Sequence, residues 1–491
     1  MDAPPDEIDP GGASPHVWVT STYFGEGFPY SVVNNLAEVL FKELGASLEV
    51  VGLTALLHLP WNLKFLWGPF LDRFETKRWW LIGTEIVLSV LTLGLAFVVS
   101  LPNLLGLVAA VFLAMAFLSA THDVAIDGFY LEGLDEDGQS KFVGYRALAY
   151  KVASLVVTGP LVILAGSLGW NAALLGAAAI MVGLTALHWF VLPRVERRRQ
   201  PVRELLSGAL RLPVLLSAAG LAGLVAAQRR FGIFDGVAGA VRSGVGAIPY
   251  VGKISAVGWI SVTLLLVLLG TLAALGPIRR VLDRSDAYYA RAFVDFLDQP
   301  KVGLILAFVI LFRSGESLLM KMKWPFLSDA MGMSLPAYGW ANGTFGVAAS
   351  FAGTFLAGWL IGQQGLRRWI WPFVLAQNLL NLLFAAVALV GVPLSAGWLT
   401  AILCIEQFGA GLGTAVFMVY LMRCVRPDHK AAHMAILTAL MSVGFTLAGV
   451  MSGALASALG FGPYFLLTFL ATIPGMLLIP FIPHLEAGRD A

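Results

Sequence analysis

The sequence predicts an all-α polytopic membrane protein with twelve core transmembrane helices in two six-helix halves and about two inserted helices. The composition is the first reason, because 58% of residues are hydrophobic, 13% are charged and the mean hydropathy is +0.80. The second is a series of apolar runs, each near the length of about 20 residues that a helix needs to cross a bilayer. The third is a repeat at a fixed offset, which relates one group of six runs to another.

The first residues, 1–16, are expected to form a short disordered tail. They are acidic and rich in Pro and Gly, and they lack the basic start and the apolar core of a signal peptide. The cysteines, Cys404 and Cys424, fall near the two ends of one predicted helix, about 30 Å apart, so we expect no disulfide between them. The net charge of +2 gives no reason to expect nucleic acid as a partner.

Six apolar runs predict an N-terminal bundle, 17–193, and six more predict a C-terminal bundle, 301–483. The predicted spans of the first bundle are 17–42, 50–71, 79–100, 103–129, 142–166 and 170–192. Those of the second are 301–325, 336–362, 368–391, 395–422, 430–458 and 461–482. A tail of residues 484–491 ends the chain.

The insertion between the bundles, 194–300, holds two further candidate spans, 209–227 and 255–277. Its last part, 285–300, places aromatic and apolar residues on one side of a helix, which predicts a helix lying along the membrane interface before the seventh core span. An ordinary linker is the alternative for this segment.

Basic residues predict the orientation, since Lys and Arg accumulate in short cytoplasmic loops. They follow the even-numbered spans of both bundles: Arg73, Lys77, Arg78, Lys141, the run 194–203, Arg367, Arg368, Arg423, Arg426 and Lys430. The alternate loops of the first bundle hold only Lys42. Both termini are therefore expected in the cytoplasm.

A shift of 290 residues superposes two separate regions of the bundles. It places Gly68, Lys77, Arg78 and Trp79 over Gly358, Arg367, Arg368 and Trp369, and Tyr130 and Leu131 over Tyr420 and Leu421. Paired six-helix repeats related by an axis along the membrane normal predict a substrate site near the midplane, between the halves.

The loop after the second span has the pattern G-x-x-x-D-R-x-x-x-K-R, which resembles the cytoplasmic signature of the major facilitator superfamily. Its members here are Gly68, Asp72, Arg73, Lys77 and Arg78, with Glu75 where the family usually has glycine. The resemblance implies that the glycine permits close helix approach and that the aspartate joins a charge network closing the cytoplasmic side. The alternative is a solvated loop that only fixes topology. The second copy has Gly362 in place of the aspartate, so such a latch would be one-sided.

Several stretches resemble the AmpG-type permeases, a branch related to acetyl-coenzyme A transporters and some siderophore importers. The matching stretches are KFLWGPFLDR (64–73), the aspartate pair in SATHDVAIDGFYLEGL (119–134), GYR (144–146), LFRSGES (311–317) and IEQFGAGLGT (405–414). One position departs from the pattern, since Glu26 stands where muropeptide permeases are expected to have a small residue. An added charge in this cavity-lining helix indicates a different cargo or different ion coupling.

Ionisable residues inside the spans are the functional candidates, because each costs about 2.5–3.5 kcal/mol to insert and therefore faces a cavity or a partner. Asp123 and Asp127 lie one turn apart on one helical face, and Arg146 on the next helix is their natural counter-charge. The group is either a structural ion pair or a proton-sensitive site. His122 is either a proton relay or a hydrogen-bonded neighbour.

Arg313 and Glu316 on the seventh core span are spaced to neutralise each other or to face the cavity. Lys321 and Lys323 lie toward the outer end of that span. We expect them to extend to the interface, and their alternative is a place at the cavity mouth, where they would suit an anionic substrate.

Four further candidates complete the predicted site. Lys64 is expected to bind a carboxylate or to serve packing, and Glu26 and Glu406, in the first and tenth core spans, are the other candidate proton sites. Asn62 offers a neutral hydrogen bond to an amide or a sugar, or holds helices together.

The resemblance and these residues together predict a proton-coupled secondary transporter of the bacterial inner membrane, working as a monomer by alternating access. The favoured cargo is an anionic, amide-bearing wall fragment such as an anhydromuropeptide; an acyl-nucleotide or a siderophore is the alternative. A membrane enzyme, sensor or scaffold is disfavoured, because no HExxH pair, nucleophile–base pairing or long extramembrane stretch occurs. No ATP-binding loop occurs either, and no cofactor or metal is expected.

Overall fold

The computed structural model describes residues 13–194, 201, 255–285, 288–426 and 429–486, and the fold of these residues is a bundle of long helices. Ten of the described helices, or eleven when a bent pair counts as one, are long and apolar enough to span a membrane. The predicted all-α membrane fold is therefore confirmed. The candidate span at 209–227 lies outside the described residues.

The first half comprises six helical passes. They are α1 (15–43), α2 (48–73), α3 (Lys77–Val98), α4 (Leu105–Gly133), α5 (136–168) and α6 (Trp170–Val191). Polar side chains begin three of these helices, since Ser47 accepts a hydrogen bond from the Val50 amide, Thr76 from the Trp79 amide and Asp135 from the Gly138 amide. The turn into α6 is tight, because Gly169 adopts a φ of +90° that other residues avoid.

The insertion and the second half follow. Their helices are α7 (Ala256–Ala273), α8 (Leu275–Leu282), α9 (Tyr288–Leu297), α10 (Val302–Asp329), α11 (Leu335–Gln364), α12 (Leu366–Val390), α13 (Ala396–Arg423), α14 (Lys430–Leu459) and α15 (Phe461–Leu478). The second predicted inserted span thus becomes α7 and α8, which meet at a bend of 52°.

Helix α9 covers most of the segment predicted to lie along the interface, and it packs against the start of α14. His433 of α14 hydrogen-bonds the Ala292 carbonyl at 3.0 Å, and His429 contacts Asp295 at 2.8 Å. Phe296 is fully buried. In the link that follows α9, the Arg279 guanidinium of α8 holds the pKa of Asp298 below its usual value through a hydrogen bond.

Successive long helices run in opposite directions, so the links between them alternate between two faces of the bundle. We name the face that carries the links 73–77, 133–136 and 364–366 the terminal face, because Pro15 starts there. The opposite face, with the links 43–48, 98–105, 329–335, 390–396 and 459–461, is the distal face.

The halves meet through the distal parts of two helix pairs. The distal part of α5 packs on the start of α11, where π-helical turns from both helices, Val157–Leu161 and Gly339–Gly346, face each other. The start of α2 packs on the last part of α14. Glycines permit this approach, since a Cβ on Gly52 would lie 2.8 Å from the Gly453 nitrogen. The segment 68–73, by contrast, packs on α3 and α4 of its own half.

We predict that Gly52→Val opens the distal contact. The added side chain has no space beside Gly453, and overpacking of this kind costs about 1–3 kcal/mol. Spin-label distances between the distal ends of α2 and α14 should therefore lengthen. Gly83→Val on α3 is the matched control, because a Cβ there meets nothing within 4 Å. Distances that stay unchanged in Gly52→Val would contradict this packing.

Candidate functional site

A cluster of paired charges lies between α2, α4 and α5, toward the terminal face. Lys64 of α2 donates to Asp123 of α4, and Arg146 of α5 donates to Asp127 at 2.8 Å. The predicted proximity of both aspartates to Arg146 is thus only half right. Arg146 pairs with Asp127, while Lys64 takes the other carboxylate, because the two aspartates are one helical turn apart.

Two tyrosines hold the Arg146 guanidinium in place. Its carbon lies 4.2 Å from the ring centroid of Tyr23 on α1 and 4.4 Å from that of Tyr130 on α4. The Tyr23 hydroxyl also donates to Asp127 at 2.8 Å. The Asp127 carboxylate on α4 therefore accepts hydrogen bonds from two donors, Tyr23 on α1 and Arg146 on α5, and these contacts fix its orientation.

Glu26 of α1 is the third carboxylate of this cluster. It interacts electrostatically with Asp123, Asp127 and Lys64. Its Oε2 atom is buried and has no hydrogen-bond partner among the described residues. The predicted candidate Asn62 is also buried, and its side-chain nitrogen lacks a partner in the same part of the chain.

The corresponding charge pair of the second half lies on α10, where the helix breaks between Leu311 and Ser314. Arg313 sits in the break and binds Glu316 through two hydrogen bonds, of 2.9 and 2.7 Å. Gln377 of α12 donates to the same carboxylate at 2.8 Å. The two charges do neutralise each other, and an amide from a neighbouring helix completes the pair.

Lys321 and Lys323 do not extend to the interface as expected. Their exposed fractions are 4% and 2%, and each is paired inside the protein. Lys323 contacts Glu406 of α13 at 2.6 Å, which places that predicted candidate in a buried ion pair. Lys321 contacts Glu38 of α1 at 2.7 Å and so links the two halves. The expectation was wrong because carboxylates on other helices stabilise the ammonium groups in the interior.

The sequence analysis missed a buried group in the first half. Glu85 of α3 lies 2.7 Å from His188 of α6 and 3.3 Å from His122 of α4, and all three side chains are fully buried. They pack against Gly25, the neighbour of Glu26. His122 therefore faces Glu85, and a glutamate in the middle of an apolar span was the signal that should have revealed the group.

No group of three or more His, Cys, Asp or Glu side chains among the described residues is suited to hold a metal ion. In the Glu85 group the carboxylate hydrogen-bonds His188, while His122 lies at ion-pair distance and its ring nitrogens make no hydrogen bond to described residues. Lys151 of α5, with the neighbouring Tyr150, was also missed, although a lysine within a predicted span is an equally visible signal.

The loop with the predicted gating residues is held within the first half. Lys77 is 2% exposed and pairs with Asp72. Its aliphatic carbons pack on Gly128 of α4, where an added Cβ would lie 2.6 Å from the Lys77 Cε atom. The close approach expected at Gly68 is found at Gly128. A Cβ at Gly68 would meet only Val124, at 3.9 Å.

The other two predicted gating residues also contact their own half. Arg78 donates to the Trp189 carbonyl at 2.7 Å and to the Leu192 carbonyl at 3.3 Å, at the end of α6. The Arg73 guanidinium lies 5.5 Å from the ring centroid of Phe74.

Glu75 explains why glycine is usual at its position in the motif. Its φ of 51° is left-handed, a conformation that costs a residue with a Cβ about 1–2 kcal/mol. We predict that Glu75→Gly raises the free energy of unfolding by about 0.5–1 kcal/mol, measured by thermal unfolding in detergent. Glu75→Ala is the control, because it removes the same carboxylate and keeps the Cβ. Equal stability of the Gly and Ala variants would rule out backbone strain.

Lys323 and Glu406 should show strong coupling in a double-mutant cycle. Lys323→Met or Glu406→Leu alone leaves one buried charge without its partner, which should cost about 3–5 kcal/mol of stability. The double variant removes both charges and should recover most of that loss. Melting curves of the four proteins in one detergent measure the coupling, and losses that simply add would show that the pair is solvated.

The chain is similar to bacterial permeases along nearly its whole length. An anhydromuropeptide permease of Escherichia coli K12 is 22% identical over 462 residues, covering 93% of this chain and 77% of the relative. An uncharacterized protein of Haemophilus influenzae is 24% identical, with 96% and 94% covered, and a putative transporter AmpG 4 of Rickettsia conorii is 21% identical, with 93% of each covered. No protein-family model matches the chain.

Solved structures of transporters share the fold. A peptide transporter POT in complex with sulfate superposes with a TM-score of 0.68 at 13% identity, covering 98% of this chain and 96% of that one. The inward-open xylose transporter XylE of E. coli superposes with a TM-score of 0.58 at 11% identity, with 96% and 97% covered. These neighbours and the relatives together confirm the resemblance seen in the motifs. The chain is a multi-pass membrane transporter with the major facilitator fold, and it is similar to the AmpG-type permeases along nearly its whole length.

Proposed function

We propose that the protein imports an anhydromuropeptide or a similar anionic solute across the bacterial inner membrane, by alternating access and with protons. The observation that carries this proposal is the arrangement of the two halves. Charged groups from both halves lie inside the bundle, with the first-half cluster toward the terminal face, and the contacts that join the halves lie toward the distal face. With both termini in the cytoplasm, as the basic loops predict, this is a state closed to the outside.

Two ion pairs between α1 and α10 support the alternating-access part of the proposal. Glu38 pairs with Lys321, and Lys42 pairs with Asp329, both at 2.7 Å. The negative partner is on α1 in one pair and on α10 in the other. Separation of the halves at the distal face would break both pairs, so they act as a reversible closure on that side.

The carboxylates of the first half support the proton-coupled part. Glu26, Asp123 and Asp127 interact electrostatically, and the repulsion among three ionised carboxylates favours binding of a proton by one of them. Lys64 competes for the same aspartate. A proton bound by Glu26 or Asp123 would weaken the ion pair between Asp123 of α4 and Lys64 of α2. Protonation would thus be coupled to the relative position of these two helices.

The cargo is proposed from the relatives, since one of them is named an anhydromuropeptide permease. Acyl-nucleotides and siderophores are the second candidates, because Glu26 departs from the expected pattern. A sensor or scaffold is not favoured by the paired charges at the midplane. We propose a monomer without cofactor or nucleic-acid partner, since the helices of one chain form the whole charged region.

The test is uptake of labelled anhydromuropeptide by liposomes that contain the purified protein, with and without an inward proton gradient. We expect uptake that increases with the gradient. Glu26→Gln should keep the uptake that occurs without a gradient and lose the increase, because the side chain can no longer bind a proton. Glu49→Gln, at the start of α2 and outside the cluster, is the matched control.

Different failures would reject different parts of the proposal. Absence of uptake in correctly oriented liposomes would reject the cargo and direct the search to acyl-nucleotides and siderophores. Uptake that ignores the gradient would reject proton coupling. A gradient response that survives in Glu26→Gln would reject the role of that residue alone.

A further inference from the structure

Lys151 stands apart from the other cations in the central part of the described membrane-spanning helices. The paired cations are Lys64 with Asp123, Arg146 with Asp127, Arg313 with Glu316, Lys321 with Glu38 and Lys323 with Glu406. Lys151 makes no ion pair or hydrogen bond within the part of the chain that the structure describes, and its side chain is exposed. An intramembrane lysine without a counter-charge is costly, which is a reason to look for a missing anion.

The surroundings of Lys151 place it in the space between the halves. It lies on α5 of the first half, and the charges that act on it, those of Arg313 and Glu316, belong to α10 of the second half. The ring of its neighbour Tyr150 lies 5.6 Å from that of Tyr30 on α1. Tyr30 packs on His58 of α2, and His58 contacts Phe445 of α14 in the second half. Lys151 therefore lies within electrostatic reach of charged groups of the opposite half, beside aromatic side chains that connect the two halves.

The charge in this region is unequally distributed. Lys151 and Arg313 carry two positive charges against the single carboxylate of Glu316. The neighbouring Glu26 cluster has the opposite excess. It contains three carboxylates, those of Glu26, Asp123 and Asp127, and two cations, Lys64 and Arg146. The region therefore has one excess positive charge at Lys151, and the two tyrosine hydroxyls beside it can donate or accept hydrogen bonds.

We propose that Lys151 and Arg313 form a carboxylate-binding subsite of the transport pathway. A solute carboxylate would lie between the halves, accept a charge-assisted hydrogen bond from Lys151 and interact with the Arg313 guanidinium, while Glu316 and Gln377 keep that guanidinium oriented. The subsite rests on the proposed transport function and names its substrate class, a solute with a free carboxylate. Because its two cations come from different halves, a bound carboxylate would draw the halves together.

The experiment compares binding of a 1,6-anhydromuramyl peptide with binding of the same molecule after its carboxylates are converted to amides. Wild-type protein in lipid nanodiscs should bind the acid about tenfold or more tightly than the amide. Lys151→Gln should bind both with similar affinity, and Lys151→Arg should keep the preference. Lys141→Gln is the matched control, since Lys141 lies at the start of the same helix, over the Phe142 ring. A Lys151→Gln protein that still prefers the acid would overturn the subsite.

A second measurement separates the subsite from the proposed cargo. If the wild-type protein binds neither form, the cargo is wrong, and thiol labelling decides about Lys151. Ala147 is exposed one helical turn from Lys151, so Ala147→Cys, combined with Cys404→Ala and Cys424→Ala, gives a reporter beside it. An anionic thiosulfonate should react several-fold faster than a cationic one, and Lys151→Gln should remove this difference. An unchanged ratio would overturn the subsite whatever the cargo is.

Discussion

The structure depends on the cost of placing charge in a medium of low polarity. Each ionisable side chain in the spans must find a partner, and removing one partner of a buried pair costs about 3–5 kcal/mol. The pairs therefore specify which helices are neighbours and in what register. Three pairs tie helices within a half: Lys64 with Asp123, Arg146 with Asp127, and Lys323 with Glu406. These three pairs hold helices of the same half together, whereas Lys321 with Glu38 and Lys42 with Asp329 join the two halves.

The interface between the halves uses a different kind of contact. Lipid tails are as apolar as the helix surfaces, so hydrophobic burial does not drive helices together, and close van der Waals contact has to do so. Glycines such as Gly52, Gly159 and Gly453 provide that contact, with the ion pairs of α1 and α10 added near the distal face. Separation of the halves would leave the three pairs within each half intact and would break only the two pairs between α1 and α10. This division suits a transporter whose halves rock around a central site.

The central region combines the two kinds of contact. In the proposed mechanism the carboxylates near Glu26 take up a proton and the cations near Lys151 bind a carboxylate, with Tyr30 and Tyr150 in the same region. A proton and an anionic solute would each relieve a local excess of charge. The α-helix is interrupted at Arg313 in α10 and at Lys64 in α2, so one cation of each half stands at an irregular part of its helix.

The sequence by itself determined the membrane class, the paired halves, the AmpG-type resemblance and the identity of most charged candidates, because hydropathy, motifs and the cost of intramembrane charge can all be read from residue types. Only the tertiary structure decided the partners. The sequence placed both aspartates with Arg146 and sent Lys321 to the interface, yet Lys64 takes Asp123 and Glu38 takes Lys321. Pairing depends on which helix faces are adjacent in space, and spacing along one helix contains no information about that.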